Sequence, residues 1–407
     1  MSSAGRSVPV PSSAAQPQKI DLVFPRFKLL SGAERAILGL ARALAAAGHR
    51  VRIVCHQFDD SCRPRLSADV DLICTNLGLD WSGNRYLNAV SDYARCFRLG
   101  PLLDRQADVL VFFGPALPLV WYLRAVRRSS ASVLYYCWEP PRALYQDRGF
   151  VVARLGRLRH IMAPLLRLYA AVDRHLIRLA GAVCTSSRFA ADRIEAVYGL
   201  SASVITLGVD RSRLDAVRSL APELPPMVLT VNYLHPRKRI DLIIQAAALC
   251  GTRWEDEMQR PRWVIVGDGP ERDNLQTLVD QLELGAWVRF AGFVSDDELP
   301  QYYAAATCYV HAGLDESFGL SVIEAAYCGC PVVAVDEGGV QDTVDHGVTG
   351  YRVPATASEL ARAVEAVLGR EDRGRALGRA GHQRIASTYR WDQGAIDLVR
   401  LAGTVKG

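Results

Sequence analysis

Short apolar runs alternate with helical stretches along the whole chain, and midway the alternation starts afresh. The opening unit sets the pattern. A strand is expected at Ile20–Phe24, followed by a Pro-containing loop and a helix from Ser31-Gly32-Ala33-Glu34-Arg35 to Ala47. Gly48 stops that helix, and a second strand follows at Val51–Cys55. Two strands joined by a helix within this length form a parallel βαβ unit. Further strands are expected at Val70–Cys74, Val109–Phe113, Val133–Cys137 and Gly181–Thr185. Helical segments lie between these strands, so the lobe reads as a doubly wound parallel sheet. After Val204–Asp210 the turn-rich Ala221-Pro-Glu-Leu-Pro-Pro226 interrupts the pattern. It then repeats, with strands at Met227–Val231, Trp263–Val266, Trp287–Phe290, Cys308–His311 and Pro331–Val335, and helices from about Asp241 and over 319–328. The fold class is α/β, with two Rossmann-like, doubly wound parallel-sheet domains facing a central cleft.

The domains are expected at 19–210 and 227–388, joined by a linker over 211–226. Residues 1–18, rich in Ser, Ala, Pro and Gln, read as a disordered tail. A last helical segment runs over about Arg375–Ala402 and contains Trp391. The net charge of +5 is modest for 407 residues, and no nucleic-acid signature accompanies it. Nucleic acid is therefore not an expected partner. The ten cysteines are scattered through apolar runs, and the Cys328–Cys330 pair has no companion. That usage fits buried thiols in a reducing compartment better than zinc. The tail lacks the apolar core of a signal peptide, and no uncharged run reaches the ~18–20 residues needed to span a bilayer. A cytoplasmic location is expected, with peripheral contact to the membrane face left open.

Two carboxylates stand eight positions apart in Glu316-Ser-Phe-Gly-Leu-Ser-Val-Ile-Glu324. If the segment is helical throughout, both share one face. If the helix starts near Gly319, Glu316 sits on the entering loop and the helix N-terminus offers N–H groups to an anion. Carboxylates accept from sugar hydroxyls and N–H groups donate to phosphate oxygens, so the combination describes a nucleotide-sugar site. Gly267-Asp268-Gly269-Pro270 is no dinucleotide fingerprint, since the third Gly is missing. Asp69-Val70-Asp71 is formally a D-x-D metal pattern without an evident third ligand.

With its Cys-Gly-Cys-Pro331-Val-Val-Ala continuation, this stretch resembles the retaining glycosyltransferases of the large family 4, which have the GT-B fold. The likeness spans nearly the whole chain after residue 18, and the E-x7-E element with its F-G-L core matches position by position. It implies that residues 19–210 are the acceptor side, 227–388 the nucleotide-sugar donor domain, and 389–407 a helix crossing back to the first domain. Glu316 would hold the sugar hydroxyls, N–H groups around Phe318, Gly319 and Leu320 would meet sugar and phosphate, and Glu324 would take the ribose. Gly32, in a G-A-E-R run, would lie against phosphate. Lys238 matches the family lysine that stabilises the departing diphosphate, but the arginine expected five positions earlier is Tyr233. Arg237 or Arg239 could substitute, though neither has the family spacing. Gly267 and Gly269 would line the cleft near the nucleotide, and Gly292-Phe293-Val294 would meet the base.

Where the family often places a histidine, this chain has Trp138, followed by Glu139. Either Glu139 assists catalysis, or Trp138, an acceptor-side residue, stacks on acceptor or donor sugar, or the lobe's apparatus is weakened. The resemblance thus implies Glu316, Lys238 and Glu139 as catalytic residues and Arg237 as a donor contact. It implies transfer of a mannose- or glucose-type hexose from a nucleotide diphosphate to a glycan, lipid-linked or small-molecule acceptor. No cofactor or metal is expected, because Lys238 can serve the diphosphate. The alternative is a catalytically weak homologue that binds a nucleotide sugar or a partner. Residues 151–180 carry six arginines against the single acid Asp173, with apolar residues at helical intervals. They form either a helix that lies on an anionic membrane or a helix pair packed on the first lobe with a solvated Arg face.

Overall fold

The computed structural model describes residues 16–28, 30–76, 95–149, 159–217, 225–251 and 260–405. Most of the expected tail, the Ala221–Leu224 part of the linker, and Arg154 and Arg157 of the basic stretch lie outside the described residues.

Two separate parallel sheets carry the chain. In the first, the strand Lys19–Val23 is flanked by Arg50–Cys55 and Val109–Phe113, with Val70–Cys74 beyond the former and Ser132–Tyr136, Ala182–Thr185 and Ser203–Val204 beyond the latter. In the second, Met227–Val231 lies between Arg262–Val266 and Cys308–His311. Val288–Gly292 forms one edge, and Val332–Val335 and Gly350–Val353 complete the other side. Several strands are buried along their whole length because helices cover both faces. Val109–Phe113, Ser132–Tyr136 and Val332–Val335 are buried at every position. The expected strands are present to within a residue or two at each end. Gly350–Val353 was missed because it is short and follows a Gly-containing turn. Within the stretch read as linker, Arg211–Asp215 forms a short helix.

The last helical segment is a correction. It is two helices, Glu371–Thr388 and Trp391–Val405. Tyr389 breaks the run because it is pinned: its hydroxyl donates to the Asp342 carbonyl at 2.7 Å and its ring meets Phe318 edge-on. The second helix packs on the first lobe, where Ser132 Oγ donates to the Ala402 carbonyl at 2.9 Å. Its Trp391 ring wedges between Gly39 and Gly208. A Cβ at Gly39 would stand 2.6 Å from the indole, and one at Gly208 would stand 2.7 Å from it. Gly39→Ala in mid-helix would ordinarily stabilise by roughly 0.5–1 kcal/mol. Here the indole has to move, so the substitution is expected to destabilise by about 1–3 kcal/mol, read as a lowered Tm. A raised Tm would show that the wedge is loose.

Candidate active site

Both sheets present their C-terminal strand ends to the space between the lobes, the usual ligand position in such sheets. The loop after Met227–Val231 carries Lys238, and the loop after Cys308–His311 carries Glu316. Lys238 Nζ donates to Glu316 Oε2, and about a quarter of each side chain meets solvent. Burial alone would push the Glu316 carboxyl up. Lys238 first, and then His311, outweigh it and hold the group below the ordinary carboxylate range.

Glycines fix both loops. Gly267 and Gly269 back directly onto the carbonyls of Asn232 and Leu234, with no room for a side chain. The Asn232 N–H donates to the Val266 carbonyl at 3.0 Å and the Leu234 N–H to the Asp268 carbonyl at 2.9 Å. The G-D-G-P turn therefore stands behind the Lys238 loop and braces it. The Gly338–Gly339 turn does the same for the Glu316 loop: the Gly339 N–H donates to the Glu316 carbonyl at 2.6 Å, and a Cβ on Gly338 would meet that carbonyl at 2.5 Å.

Lys238 and Glu316 border a cavity of about 290 Å³ lined also by Glu139, Arg142, Tyr233 and Arg237. Arg142 reaches across from the first lobe. Its Nε donates to Glu139 at 2.8 Å, and its guanidinium donates to the Asp315 carbonyl at 2.7 Å. Arg193, also from the first lobe, pairs with the Asp315 carboxylate at 2.8 Å. Asp315 holds a left-handed backbone, φ 52°, unusual for a residue with a side chain. Arg237 lies 3.4 Å from Asp147 and 3.6 Å from Asp315. Tyr233 is 58% exposed and stacks on His235. Arg239 pairs instead with Glu337 at 3.0 Å. Nothing in the local sequence assigns these roles to Arg142, Arg193 or Asp315, because they depend on a crossing between lobes that only the fold creates.

The two glutamates do not share one helical face. The helix Leu320–Tyr327 is capped by Gly319, with φ 87°, so Glu316 is on the entering loop and Glu324 is inside the helix. Glu324 accepts from Arg35 of the first lobe at 3.1 Å and from the Tyr303 hydroxyl at 3.0 Å. Burial raises its pKa against the opposing pull of Arg35. Arg35 also pairs with Asp296, which Arg65 and Arg213 meet as well. This charge cluster ties the lobes together apart from the Lys238 cavity, with which it shares no lining residue. A ribose reaching Glu324 would have to displace Arg35 or share the carboxylate with it.

The remaining expected site residues divide. Gly32 opens the first helix and faces Leu320 across the cleft; a Cβ placed on it would lie 3.8 Å from Leu320 Cδ1. Phe318 is 5% exposed and sits in the core beside Tyr389, so only its backbone could serve a ligand. Phe293 is 80% exposed just past the edge strand. Trp138 stacks on Phe113 and meets Tyr136 at a tilt, and its indole N–H has no hydrogen-bond partner among the described residues. Glu139 borders the cavity but is committed to Arg142.

Two parallel-sheet lobes that close over a lysine, arginines and a carboxylate at their strand ends define a glycosyltransferase of the GT-B class. The chain belongs to the group 1 glycosyltransferases. The glycosyl transferases group 1 model matches residues 213–384, and the glycosyl transferase 4-like domain matches 31–208. Human alpha-1,3/1,6-mannosyltransferase ALG2 is 25% identical over 391 residues, 88% of this chain and 90% of that protein. The GDP-mannose-dependent alpha-(1-6)-phosphatidylinositol monomannoside mannosyltransferase of Mycobacterium tuberculosis is 30% identical over 319 residues, 74% of this chain and 77% of the relative. Among solved structures, sucrose-phosphate synthase from Thermosynechococcus elongatus superposes with a TM-score of 0.76 at 22% identity, covering 95% of this chain and 99% of that one. Anabaena HepE in complex with UDP-glucose gives 0.68 at 20% identity, covering 95% and 100%.

Proposed function

We propose that the protein is a retaining, metal-independent mannosyltransferase that uses GDP-mannose. The observation that carries this reading is the Lys238–Glu316 pair on the wall of the interlobe cavity, with Arg237 beside it. A departing nucleoside diphosphate needs cations, and a hexose needs a fixed acceptor for its hydroxyls. Lys238 and Arg237 supply the first and Glu316 supplies the second. The N–H groups that open the helix at Leu320 add a favourable dipole. The relatives with broad coverage are mannosyltransferases, which favours mannose over glucose.

In this reading the acceptor hydroxyl attacks from the face the diphosphate leaves, and the leaving phosphate takes its proton. No protein nucleophile is required, and Trp138 is tolerated where a histidine is common in the family. Glu139 acts by holding Arg142 against Asp315, and so supports the cavity wall. With two cations at the diphosphate, a divalent metal is unnecessary, and chelation by EDTA should leave turnover unchanged. The test of the whole is a transfer assay with GDP-mannose and UDP-glucose, with release of GDP or UDP followed in the presence and absence of acceptor. GDP release that depends on acceptor supports the reading. Binding without transfer to any acceptor would favour the nucleotide-sugar-binding alternative.

A lipid-linked acceptor on an anionic, cytoplasmic membrane face suits the first lobe. The helix Arg159–Arg178 exposes Leu165, Leu168 and Val172, among Arg167 and Arg174. Trp121 and Phe97 are also more than a third exposed on that lobe, in edge-to-face contact. Among the described residues no helix is long and apolar enough to cross a membrane. None of the ten cysteines is in a disulfide, which fits a reducing compartment. Co-sedimentation with phosphatidylserine vesicles should weaken as salt is raised, and Leu168→Ser should weaken it about tenfold. Binding that is absent, or indifferent to salt, would remove the membrane from this reading.

A further inference from the structure

His311 is the last residue of the strand Cys308–His311, at the cleft end of the second sheet. It is 1% exposed, and neither ring nitrogen has a hydrogen-bond partner among the described residues. A neutral imidazole carries one donor and one acceptor, and leaving both unmet in the interior is unfavourable. Such a group is retained at a site only if something else is gained there.

The surroundings indicate what that is. His311 and Glu316 approach the same point beside Gly313. A Cβ placed on Gly313 would lie 2.8 Å from His311 Nε2 and 3.4 Å from Glu316 Oε2. A side chain at Gly313 would therefore crowd both the ring and the carboxylate. Glu316 Oε2 is the oxygen that accepts from Lys238. Burial keeps the ring neutral, its pKa lowered to about 4, with Glu316 pulling up and Lys238 pushing down. It can thus donate one N–H without adding a second positive charge next to the lysine.

When a diphosphate enters, it competes with Glu316 for Lys238. A largely buried carboxylate that loses its cation would take up a proton, and could then no longer accept from sugar hydroxyls on both oxygens. We propose that His311 is a positioning residue of the transfer reaction: its Nε2–H replaces Lys238 as the hydrogen-bond donor to Glu316 when the lysine turns to the diphosphate. This rests on the reading of Lys238 and Glu316 given under Proposed function. The ring touches neither the leaving group nor the acceptor and acts through Glu316.

The experiment first establishes acceptor-dependent transfer by the wild-type enzyme, since its failure with every nucleotide sugar would overturn the functional reading itself. With transfer in hand, His311→Phe fills the ring's volume and removes both nitrogens. It is expected to lower kcat roughly 10- to 100-fold while the donor KM changes less than about threefold. Its Tm should stay level or rise, because two unmet polar atoms leave the core. His311→Gln, which restores an N–H, should recover part of kcat. In a Glu316→Gln background, His311→Phe should have almost no further effect. Wild-type kcat in His311→Phe would overturn the proposal, as would an equal loss in the Glu316→Gln background. Should His311→Phe fail to fold, His311→Gln and His311→Leu compared at matched Tm decide the question on the same kcat readout.

Discussion

Glu316→Gln is expected to lower kcat by roughly 10²- to 10³-fold with the fold intact. The substitution preserves shape, and the amide oxygen can still accept from Lys238, so the loop should hold its place. What changes is charge and polarity at one atom. Both carboxylate oxygens accept, whereas one end of an amide can only donate. The sugar, whose anomeric carbon and ring oxygen become positive as the glycosidic bond breaks, loses the anion that accepts from its hydroxyls. If Lys238 and Arg237 hold the diphosphate as proposed, donor affinity should fall far less than kcat. The measurement is steady-state transfer at saturating donor, paired with a melting curve. Turnover within a few-fold of wild type would remove Glu316 from the catalytic apparatus. A collapse of Tm would instead assign the residue to the structure of the loop.

How much of this was readable from sequence follows physical lines. The two sheets were legible because parallel strands buried on both faces must be apolar throughout, as at Val109–Phe113 and Val332–Val335. The Glu316–Glu324 spacing was legible too, but it left two geometries open, and Gly319 settled the choice by starting the helix at Leu320. Gly267 and Gly269 stand out as a motif, whereas their work as a brace depends on how closely the Asn232 and Leu234 carbonyls approach. The partnerships of Arg142, Arg193, Arg35 and Asp296 could not be picked out, since a charged residue carries no mark of a partner more than a hundred positions away. In sequence His311 is only the end of an apolar strand. Its lack of hydrogen-bond partners is a property of the packed core and has no trace in local sequence.

In the proposed reaction Lys238 serves Glu316 and the diphosphate in turn, so its removal should be visible twice. Lys238→Met keeps the apolar stem and deletes the charge. Transfer is expected to fall by about 10²- to 10³-fold, now with weaker binding of GDP as well, because in the proposed reaction the cation meets the leaving group directly. The second effect is on stability. In the wild-type protein Glu316 titrates below the ordinary carboxylate range, so its pairing stabilises the fold above the unfolded-state pKa, and this contribution is lost only as pH falls through the depressed folded value. Without Lys238, burial is the largest influence left on the carboxyl and pushes its pKa up. Near neutral pH the variant should therefore be less stable by about 1–2 kcal/mol, a partly exposed pair contributing less than a fully buried one. As pH is lowered toward 5, the variant's Glu316 protonates while the unfolded chain's does not, so its deficit should shrink. Melting curves at pH 7.5 and pH 5 compare the two proteins directly. A deficit equal at both values would mean that Glu316 is neutralised by another cation, with Arg142 the candidate, and that Lys238 is not what holds it ionised. Lys238→Arg separates charge from shape: it should restore stability, but only part of turnover, since the broader guanidinium cannot swing between carboxylate and diphosphate in the same space.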